Sequence, residues 1–401
     1  MRKKVTLGLM FALLMVRFPG GLYGEDHSLV LSIGAREEYN DNLFYSASKK
    51  EEDFVTTVSP KIKWAIDTET TNASASAGLD RIMYRQNDEL DKTDQLFGAN
   101  ASQRLNERFS AAAQLNYLKD SRRERDLETT GLLQNDSLRK NWQFGVSGNY
   151  LISEEDAVDG SVSFEQENYE NVPTSDYDSW SGTIVYSRSF NPETRWSTQL
   201  GYTSYNYDLS DIGNYWVSTG INRKINETIT LDAQIGGRFT RTEQTESRMV
   251  ILLPSFIPVL QTEKVTNDSS GLIGNLGITF KGEYSSLDIS ANHDVKNASG
   301  RNGTTNRTAF VVSVNQQLTD AWFIYCSGGY YINEANAGEL ATADIDERTF
   351  QIQPRIRYRI NRHLSLDSAF RYTQIENRTN DSTLRNSTLM MQLEYSYDLL
   401  E

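Results

Sequence analysis

The end of the chain repeats apolar residues at every second position. The repeating residues are Leu389, Met391, Leu393, Tyr395, Tyr397 and Leu399. Polar residues lie between them, and Met390 is the one interruption. A period of two is typical of a β-strand with one apolar and one polar face. Similar stripes recur along the chain, giving about 18 strands in a range of about 16–20. This pattern predicts an all-β fold, a transmembrane antiparallel up-and-down β-barrel.

The connections between the stripes alternate in length. Short ones include Asn106-Glu107, Thr319-Asp320 and Asn361-Arg362, whereas long ones cover residues 119–137, 242–268 and 333–346. Short periplasmic turns and long extracellular loops are the arrangement of outer-membrane barrels. Tryptophans near the stripe ends predict aromatic girdles at the two lipid–water boundaries. These residues are Trp64, Trp142, Trp180, Trp196 and Trp322.

The first residues have the features of a secretory signal. Three basic residues, at positions 2–4, precede an apolar run over residues 5–16, which is too short for a spanning helix. Small residues place a cut near Gly24. We therefore expect a signal peptide over residues 1–24 and one barrel domain over residues 25–401. The expected location is the bacterial outer membrane, reached by export through the inner membrane and by the barrel-assembly machinery.

The formal net charge is −14, and it becomes −18 without the four basic residues of the signal. Such a charge argues against nucleic acid as a partner, because phosphate recognition needs a basic face. It suits acidic surface loops, which are either simply solvated or bridged to lipopolysaccharide by divalent cations. Outer-membrane lipid and lipopolysaccharide are the expected surroundings.

One local motif joins the first two strands. Tyr39-Asn40-Asp41-Asn42-Leu43-Phe44 ends the first strand, and Asp53 to Pro60 opens the second. This hairpin, with Tyr39, Asp41, Asn42 and Pro60 as its marker residues, resembles the start of a β-barrel porin family. Members of that family often accompany bacterial exopolysaccharide gene clusters. The resemblance implies an outer-membrane barrel without known chemistry and a role in the passage or secretion of polysaccharide. Asn40, Asp41 and Asn42 by themselves favour a turn and tolerate left-handed backbone, and Pro60 predicts a strand irregularity.

Residues for catalysis are scarce. The chain has three histidines, His27, His293 and His363, and one cysteine, Cys326. A serine hydrolase needs its histidine within reach of a nucleophile and an acid, and neighbours along a strand point to opposite faces. We therefore predict no enzyme, no catalytic residues, no metal and no cofactor. An outer-membrane hydrolase that depends on His293 is the third functional hypothesis.

The strand face opposite the apolar stripe carries charged and amide groups. We predict that these residues line an aqueous lumen. The charged candidates are Lys61, Lys63, Asp232, Arg238, Arg355, Arg357, Asp367, Arg371 and Glu394. Two interpretations remain open. Either the charges pair across strands and brace the wall, or the basic residues form a ladder that steers anionic solutes.

One apolar segment, Met249 to Leu260, interrupts the longest connection. Pro254 and Pro258 exclude a helix there. The segment either extends a hairpin above the membrane, folds inward as a constriction, or meets a partner.

The leading functional prediction is a porin-like outer-membrane channel for polar solutes, with saccharide or exopolysaccharide as the candidate cargo. The alternative is a non-conducting structural or accessory barrel that works with periplasmic export partners in polysaccharide secretion.

Overall fold

The structure, a computed structural model, describes residues 26–122, 124–133, 137–170, 176–252, 257–298, 301, 303–337, 339–341 and 343–400. The predicted signal, residues 1–24, lies outside these ranges. The strands are β1 (Asp26–Asn40), β2 (Asp53–Asp67), β3 (Thr71–Tyr84), β4 (Lys92–Arg104), β5 (Phe109–Asp120), β6 (Arg139–Leu151), β7 (Asp156–Tyr169), β8 (Tyr177–Asn191), β9 (Thr194–Tyr207), β10 (Ser210–Lys224), β11 (Ile229–Leu252), β12 (Ile257–Lys281), β13 (Ser285–Asn297), β14 (Thr304–Gln317), β15 (Trp322–Ala335), β16 (Ile345–Arg359), β17 (Leu364–Asn377) and β18 (Ser382–Asp398).

Every strand pairs antiparallel with its neighbours in the chain, and β1 also pairs with β18. The closing ladder runs from Val30 opposite Asp398 to Asn40 opposite Thr388. Closure leaves no edge strand, so the backbone N–H and C=O groups find partners within the sheet. The predicted antiparallel barrel of about 18 strands is confirmed.

The connections lie at two ends, as predicted. At the periplasmic end, turns such as those after Asp67, Arg104 and Asn191 contain two to four residues. At the extracellular end, a connection of 18 residues joins β5 to β6 and contains a single helical turn, α1 (Leu127–Thr130). A short 3-10 helix, Asp88–Leu90, lies in the connection between β3 and β4. Among the described residues, no helix is long and apolar enough to cross a bilayer.

The prediction of a long loop over residues 242–268 is wrong. Most of this segment continues β11 and β12 as a two-stranded ribbon, paired as far as Leu252 opposite Ile257. The hairpin interpretation of Met249 to Leu260 therefore holds for its described backbone, while residues 253–256 lie outside the described ranges.

The outer face of the barrel is apolar. Its exposed residues include Ile184, Leu200 and Ile235, which are 59%, 57% and 62% exposed. Two rims of aromatic pairs bound this belt. Tyr117 with Trp142 and Phe164 with Trp180 lie toward the extracellular end, and Trp322 with Tyr358 and Tyr186 with Trp196 lie toward the periplasmic end. Such a belt between two aromatic rims matches the lipid-facing surface of an outer-membrane barrel.

Two prolines mark irregularities in the wall. The β2–β3 ladder stops at Val58 and resumes at Lys61, on either side of Pro60. The β16–β17 ladder likewise skips the position of Pro354. Each proline lacks the N–H that the neighbouring strand would accept.

The interior is most tightly packed in its extracellular half. Residues with 0% exposure there include Thr240, Thr242, Asn333, Thr349 and Asn386. Lys61 and Lys63, in the periplasmic half, are exposed. The fold therefore divides the lumen into a filled extracellular half and an open periplasmic half.

A charge on the belt tests the assignment of faces. Replacement of Leu200 by arginine should lower the free energy of unfolding in lipid by about 2–4 kcal/mol, because the guanidinium would enter hydrocarbon. The matched variant Gln199→Arg places the charge on the lumen side and should cost much less. Equilibrium denaturation of both variants in vesicles measures the difference, and equal costs would contradict the assignment.

Candidate functional site: the lumen and the loop that crosses it

From β3 to β9, the wall of the lumen carries small uncharged polar side chains. Ser74 Oγ donates to Asn100 Oδ1 at 2.6 Å, and the hydroxyls of Ser181 and Thr203 are 3.0 Å apart. Two adjoining concave regions of about 440 and 410 Å³ lie against this wall. Their polar lining includes Asn100, Ser102, Gln114, Ser147, Asn149, Ser161, Ser163 and Thr183. The wall offers hydrogen bonds with few charges.

The opposite sector, from β16 through β18 and β1 to β2, carries most of the charged residues singled out from sequence. Barrel closure places β1 between β18 and β2. The sector therefore brings together seven of the nine charged candidates, five basic and two acidic. They are Lys61, Lys63, Arg355, Arg357, Asp367, Arg371 and Glu394.

Asp367 links two of these arginines. Its Oδ1 accepts from Arg355 Nε at 2.7 Å and from Arg357 Nε at 3.0 Å. Asp367 is 6% exposed, and Arg371 Nε donates to the Gln353 side chain at 3.0 Å. One carboxylate thus pairs with two arginines, as the bracing interpretation predicts. The sector still holds more basic than acidic residues, which the interpretation as a basic ladder requires.

Lys61 and Lys63 are less constrained. Both are exposed on the lumen side of β2, and neither forms an ion pair with a described residue. The methylenes of Lys61 lie over Gly78 on β3, where a Cβ would come within 3.0 Å of Lys61 Cγ. Glycine at position 78 thus leaves room for the lysine stem along the wall.

Asp232 and Arg238 lie on β11, away from this sector. Asp232 accepts hydrogen bonds from the Asn222 and Asn275 amides. Arg238 is only 8% exposed and donates to Thr240 Oγ1 at 2.8 Å and to Asn306. The structure therefore does not bring these two residues into one patch with the other seven.

The hairpin motif fastens the first extracellular loop to β18. Asn42 is fully buried, and its Nδ2 donates to the carbonyls of Ser46 and Arg385 at 2.9 and 2.8 Å. Asp41 accepts from the Ser387 N–H at 2.7 Å, and Tyr39 donates to Glu52 at 2.6 Å. These contacts are structural.

The backbone of this loop differs from one expectation. The residue with left-handed φ is Tyr45, at 50°, and none of Asn40, Asp41 and Asn42 adopts that conformation. Tyr45 is 4% exposed and packs against Leu127 and Ile375. Burial of the Tyr45 ring stabilises a left-handed backbone conformation that residues other than glycine rarely adopt.

Residues 121, 122, 124–133, 137 and 138, here called the crossing loop, fold from β5 and β6 into the lumen. Arg139 anchors the root of this loop. Its Nη2 and Nε bind both oxygens of Asp120 at 2.8 and 3.0 Å, and its Nη1 lies 2.8 Å from Asp126 and 3.2 Å from Glu167. Arg139, Asp120 and Glu167 are each at most 6% exposed. A buried cation with three carboxylates fixes the loop on its own side of the barrel.

The middle of the crossing loop reaches strands on the opposite wall. Asn333 Nδ2 on β15 donates to the carbonyl of Thr130 at 2.9 Å, and Thr349 Oγ1 on β16 donates to that of Gly131 at 2.5 Å. Leu127 is 0% exposed in the cluster of Tyr45 and Ile375. Here the contacts are neutral hydrogen bonds and apolar packing.

Gly131 makes the close approach to the wall feasible. It ends α1 with a left-handed φ of 69°, and a Cβ at this position would collide with the ring of Tyr331. Only glycine meets both conditions without strain.

A second charged contact joins the crossing loop to β1. Arg122 lies 3.4 Å from Glu38 and 3.5 Å from Glu124. Burial by itself lowers the pKa of the Arg122 guanidinium, but the carboxylates of Glu38 and Glu124 outweigh it and raise that pKa above its ordinary value. Arg122 is therefore a permanent cation that ties the loop to the next sector of the wall.

Other extracellular connections fill the rest of the outer half. Tyr207 of β9 donates to the Gly303 carbonyl at 2.7 Å, Thr242 of β11 donates to the Glu339 carbonyl at 2.6 Å, and the Thr304 N–H donates to the Leu340 carbonyl at 2.6 Å. The loops before β14 and β16 therefore also lie within reach of the inner wall.

Sequence reasoning assigned a candidate inward fold to Met249 to Leu260 and missed the crossing loop. One signal was present, since Leu127, Leu132 and Leu133 interrupt an otherwise polar connection and precede no strand. Leu127 and Leu132 are both 0% exposed. Apolar residues within a long polar connection therefore indicate the segment that packs inside the lumen.

The described histidine contacts do not form a hydrolytic triad. His293 Nδ1 lies 2.8 Å from Thr308 Oγ1, and His363 contacts Arg362 and the Ser396 carbonyl. Neither contact joins a serine hydroxyl to a histidine that a carboxylate orients. Within the described ranges, no group of three or more His, Cys, Asp or Glu residues is placed to hold a metal.

No protein-family model and no curated protein matches this sequence. Solved structures are similar in overall shape. OccAB4 of Acinetobacter baumannii aligns over 93% of this chain and 98% of its own, with a TM-score of 0.49 and 10% identity. OpdK of Pseudomonas aeruginosa, solved with vanillate, covers 93% of this chain and 99% of its own, with a TM-score of 0.46 and 10% identity.

The copper transporter OprC covers 91% of this chain and 66% of its own, with a TM-score of 0.48 and 10% identity. Vanillate and copper are named for those proteins.

The anchor of the crossing loop can be tested by proteolysis. Arg139→Gln removes the cation from three carboxylates and should cost about 3–5 kcal/mol of local stability. The expected result is new trypsin cleavage after Arg122 or Arg125 in the folded barrel, detected by mass spectrometry.

The neighbouring variant Lys140→Gln is the control, since it breaks only an exposed pair with Glu170. It should stay as resistant as the wild type. Equal resistance of Arg139→Gln would show that the charged cluster does not hold the loop.

Proposed function

We propose that this protein is an outer-membrane channel for small polar solutes, and that the crossing loop restricts it. The observation that carries the proposal is the contrast within the lumen. The periplasmic half is open and polar, whereas the extracellular half is crossed by a loop that neutral contacts at Asn333 and Thr349 hold to the far wall. The ion pairs of Arg139 fix the root of the loop, whereas the neutral hydrogen bonds to the far wall can break and release its middle.

The apolar belt and the two aromatic rims support insertion in the outer membrane. The basic and apolar N-terminal segment supports export through the inner membrane first. Acidic extracellular loops would then face lipopolysaccharide, with divalent cations bridging the two.

The wall supports uncharged hydroxylated solutes as cargo. Between β3 and β9 it offers serine, threonine, asparagine and glutamine groups, which donate and accept hydrogen bonds equally. Saccharides match this chemistry, and an exopolysaccharide fragment is the finer proposal that the hairpin motif adds. The excess of basic residues in the opposite sector would give a moderate anion preference.

A second candidate is an accessory barrel in polysaccharide secretion that does not conduct by itself. The filled extracellular half favours it, since loops from several sides meet there. In that case a periplasmic export partner would be needed to open the barrel.

Release of the crossing loop distinguishes these functions. The double variant Asn333→Ala, Thr349→Ala should conduct in larger or longer steps than the wild type in planar bilayers, because the loop middle loses its far-wall hydrogen bonds. Asn315→Ala, in the open half, is the control and should behave as the wild type. If the wild type and both variants are folded but do not conduct, the channel function is contradicted and the accessory barrel is favoured.

Ion selectivity tests the charged sector. Asp367→Asn removes the carboxylate that Arg355 and Arg357 share and should move the reversal potential in a salt gradient toward anion selectivity. Arg357→Gln should move it the opposite way. An unchanged potential in both variants would place the ion path away from this sector.

A further inference from the structure

A separate cavity lies at the extracellular end, between the first two extracellular loops and the crossing loop. Its volume is about 330 Å³, within the size range of small-ligand pockets. Glu38, Val55, Tyr84 and Leu90 are among the residues that line it.

Two hydroxyl groups in this cavity lack a partner. Ser121 and Ser137, at the two ends of the crossing loop, line the cavity and are each 8% exposed. Neither Oγ forms a hydrogen bond with a described residue. Burial of a hydroxyl without a hydrogen bond costs free energy, and a ligand that forms this hydrogen bond could recover it.

Most of the carboxylates that line the cavity already have a cationic partner. Five acids, Glu38, Glu89, Asp91, Glu124 and Glu170, and two bases, Lys92 and Arg122, line it. Four of the acids form ion pairs: Glu38 with Arg36 and Arg122, Asp91 with Arg81, Glu124 with Arg122, and Glu170 with Lys140. A neutral ligand leaves these pairs intact, whereas an ionic ligand would compete with them.

The remaining lining is apolar. Leu43, Phe44, Val55, Leu90 and Leu138 contribute carbon surface beside the hydroxyls and carboxylates. A ligand that fits must therefore present hydroxyl groups at its edge and carbon–hydrogen surface on its faces. A sugar ring has this distribution of groups.

We propose that this cavity binds one unit of a neutral polyhydroxylated solute, a sugar, before the solute reaches the crossing loop. The inference rests on the proposed channel function and names its substrate class. Ser121 and Ser137 would hydrogen-bond the sugar hydroxyls from one side, and Glu89, which is exposed at the rim, would accept from the other. Since both serines belong to the crossing loop, occupancy and loop position would be linked.

The test is equilibrium binding to the refolded full chain in a zwitterionic detergent without sugar head groups. Saturation-transfer NMR and calorimetry would compare glucose and maltose with glucosamine and glucuronate. We expect saturable binding of the neutral sugars. Ser137→Leu and Ser121→Leu should each weaken it by about tenfold or more, through lost hydrogen bonds and occupied space. Glu89→Gln should weaken it without risk to folding, because the side chain is exposed.

Ser327→Leu, a lumen serine on the far wall, is the matched control and should bind as the wild type. Heat-modified migration on gels confirms that each variant is folded. No saturable sugar binding, preferred binding of glucosamine or glucuronate, or wild-type affinity in all three cavity variants would overturn the proposal. Conductance of the same preparation separates the two claims, since a conducting barrel that binds no sugar would leave the channel standing and remove only this site.

Discussion

The backbone hydrogen bonds of the wall are the constraint on which the rest of this structure depends. A bilayer interior offers no water to an unpaired N–H or C=O, so a sheet that crosses it must close. The ladder between β1 and β18 provides the closure and places the N- and C-terminal strands side by side. It also gathers Lys61, Lys63, Arg355 and Arg357 into one sector, although most of the chain separates them in sequence.

Closure fixes the wall but leaves the lumen to be filled by side chains and loops. In the periplasmic half the chain leaves it open and lines it with hydroxyl and amide groups. In the extracellular half the crossing loop spans it, with Arg139 among three carboxylates at one side and the Thr130 and Gly131 carbonyls accepting neutral bonds at the other. Unequal anchoring of this kind allows one end of a loop to stay while the other moves, because neutral bonds exchange readily for water.

Charge pairing does two tasks in this barrel. At Arg139 and Arg122 buried ion pairs hold loops in place, and their desolvation is offset by several carboxylates at once. At Asp367 a single carboxylate serves two arginines, so the wall is braced and still positive. The cavity beside Arg122 differs from both, since most of its carboxylates are already paired, while the hydroxyls of Ser121 and Ser137 have no hydrogen-bond partner among the described residues.

The sequence by itself determined the strands, because the period of two is set by backbone geometry and each stripe must face lipid. Leu200, Trp322 and Pro60 could be placed on their faces and at their irregularities from that period alone. Tertiary structure decided what lies inside. Arg139 looks like any polar residue in the sequence, and Asp367 could be assigned to the lumen but not to its arginines, because the partners of both come from strands or loops that the folded barrel brings near. The crossing loop was missed for the same reason: Leu127 is a core residue because it packs against Tyr45 of the first extracellular loop and Ile375 of β17, and a sequence pattern does not show which distant residues a loop will contact.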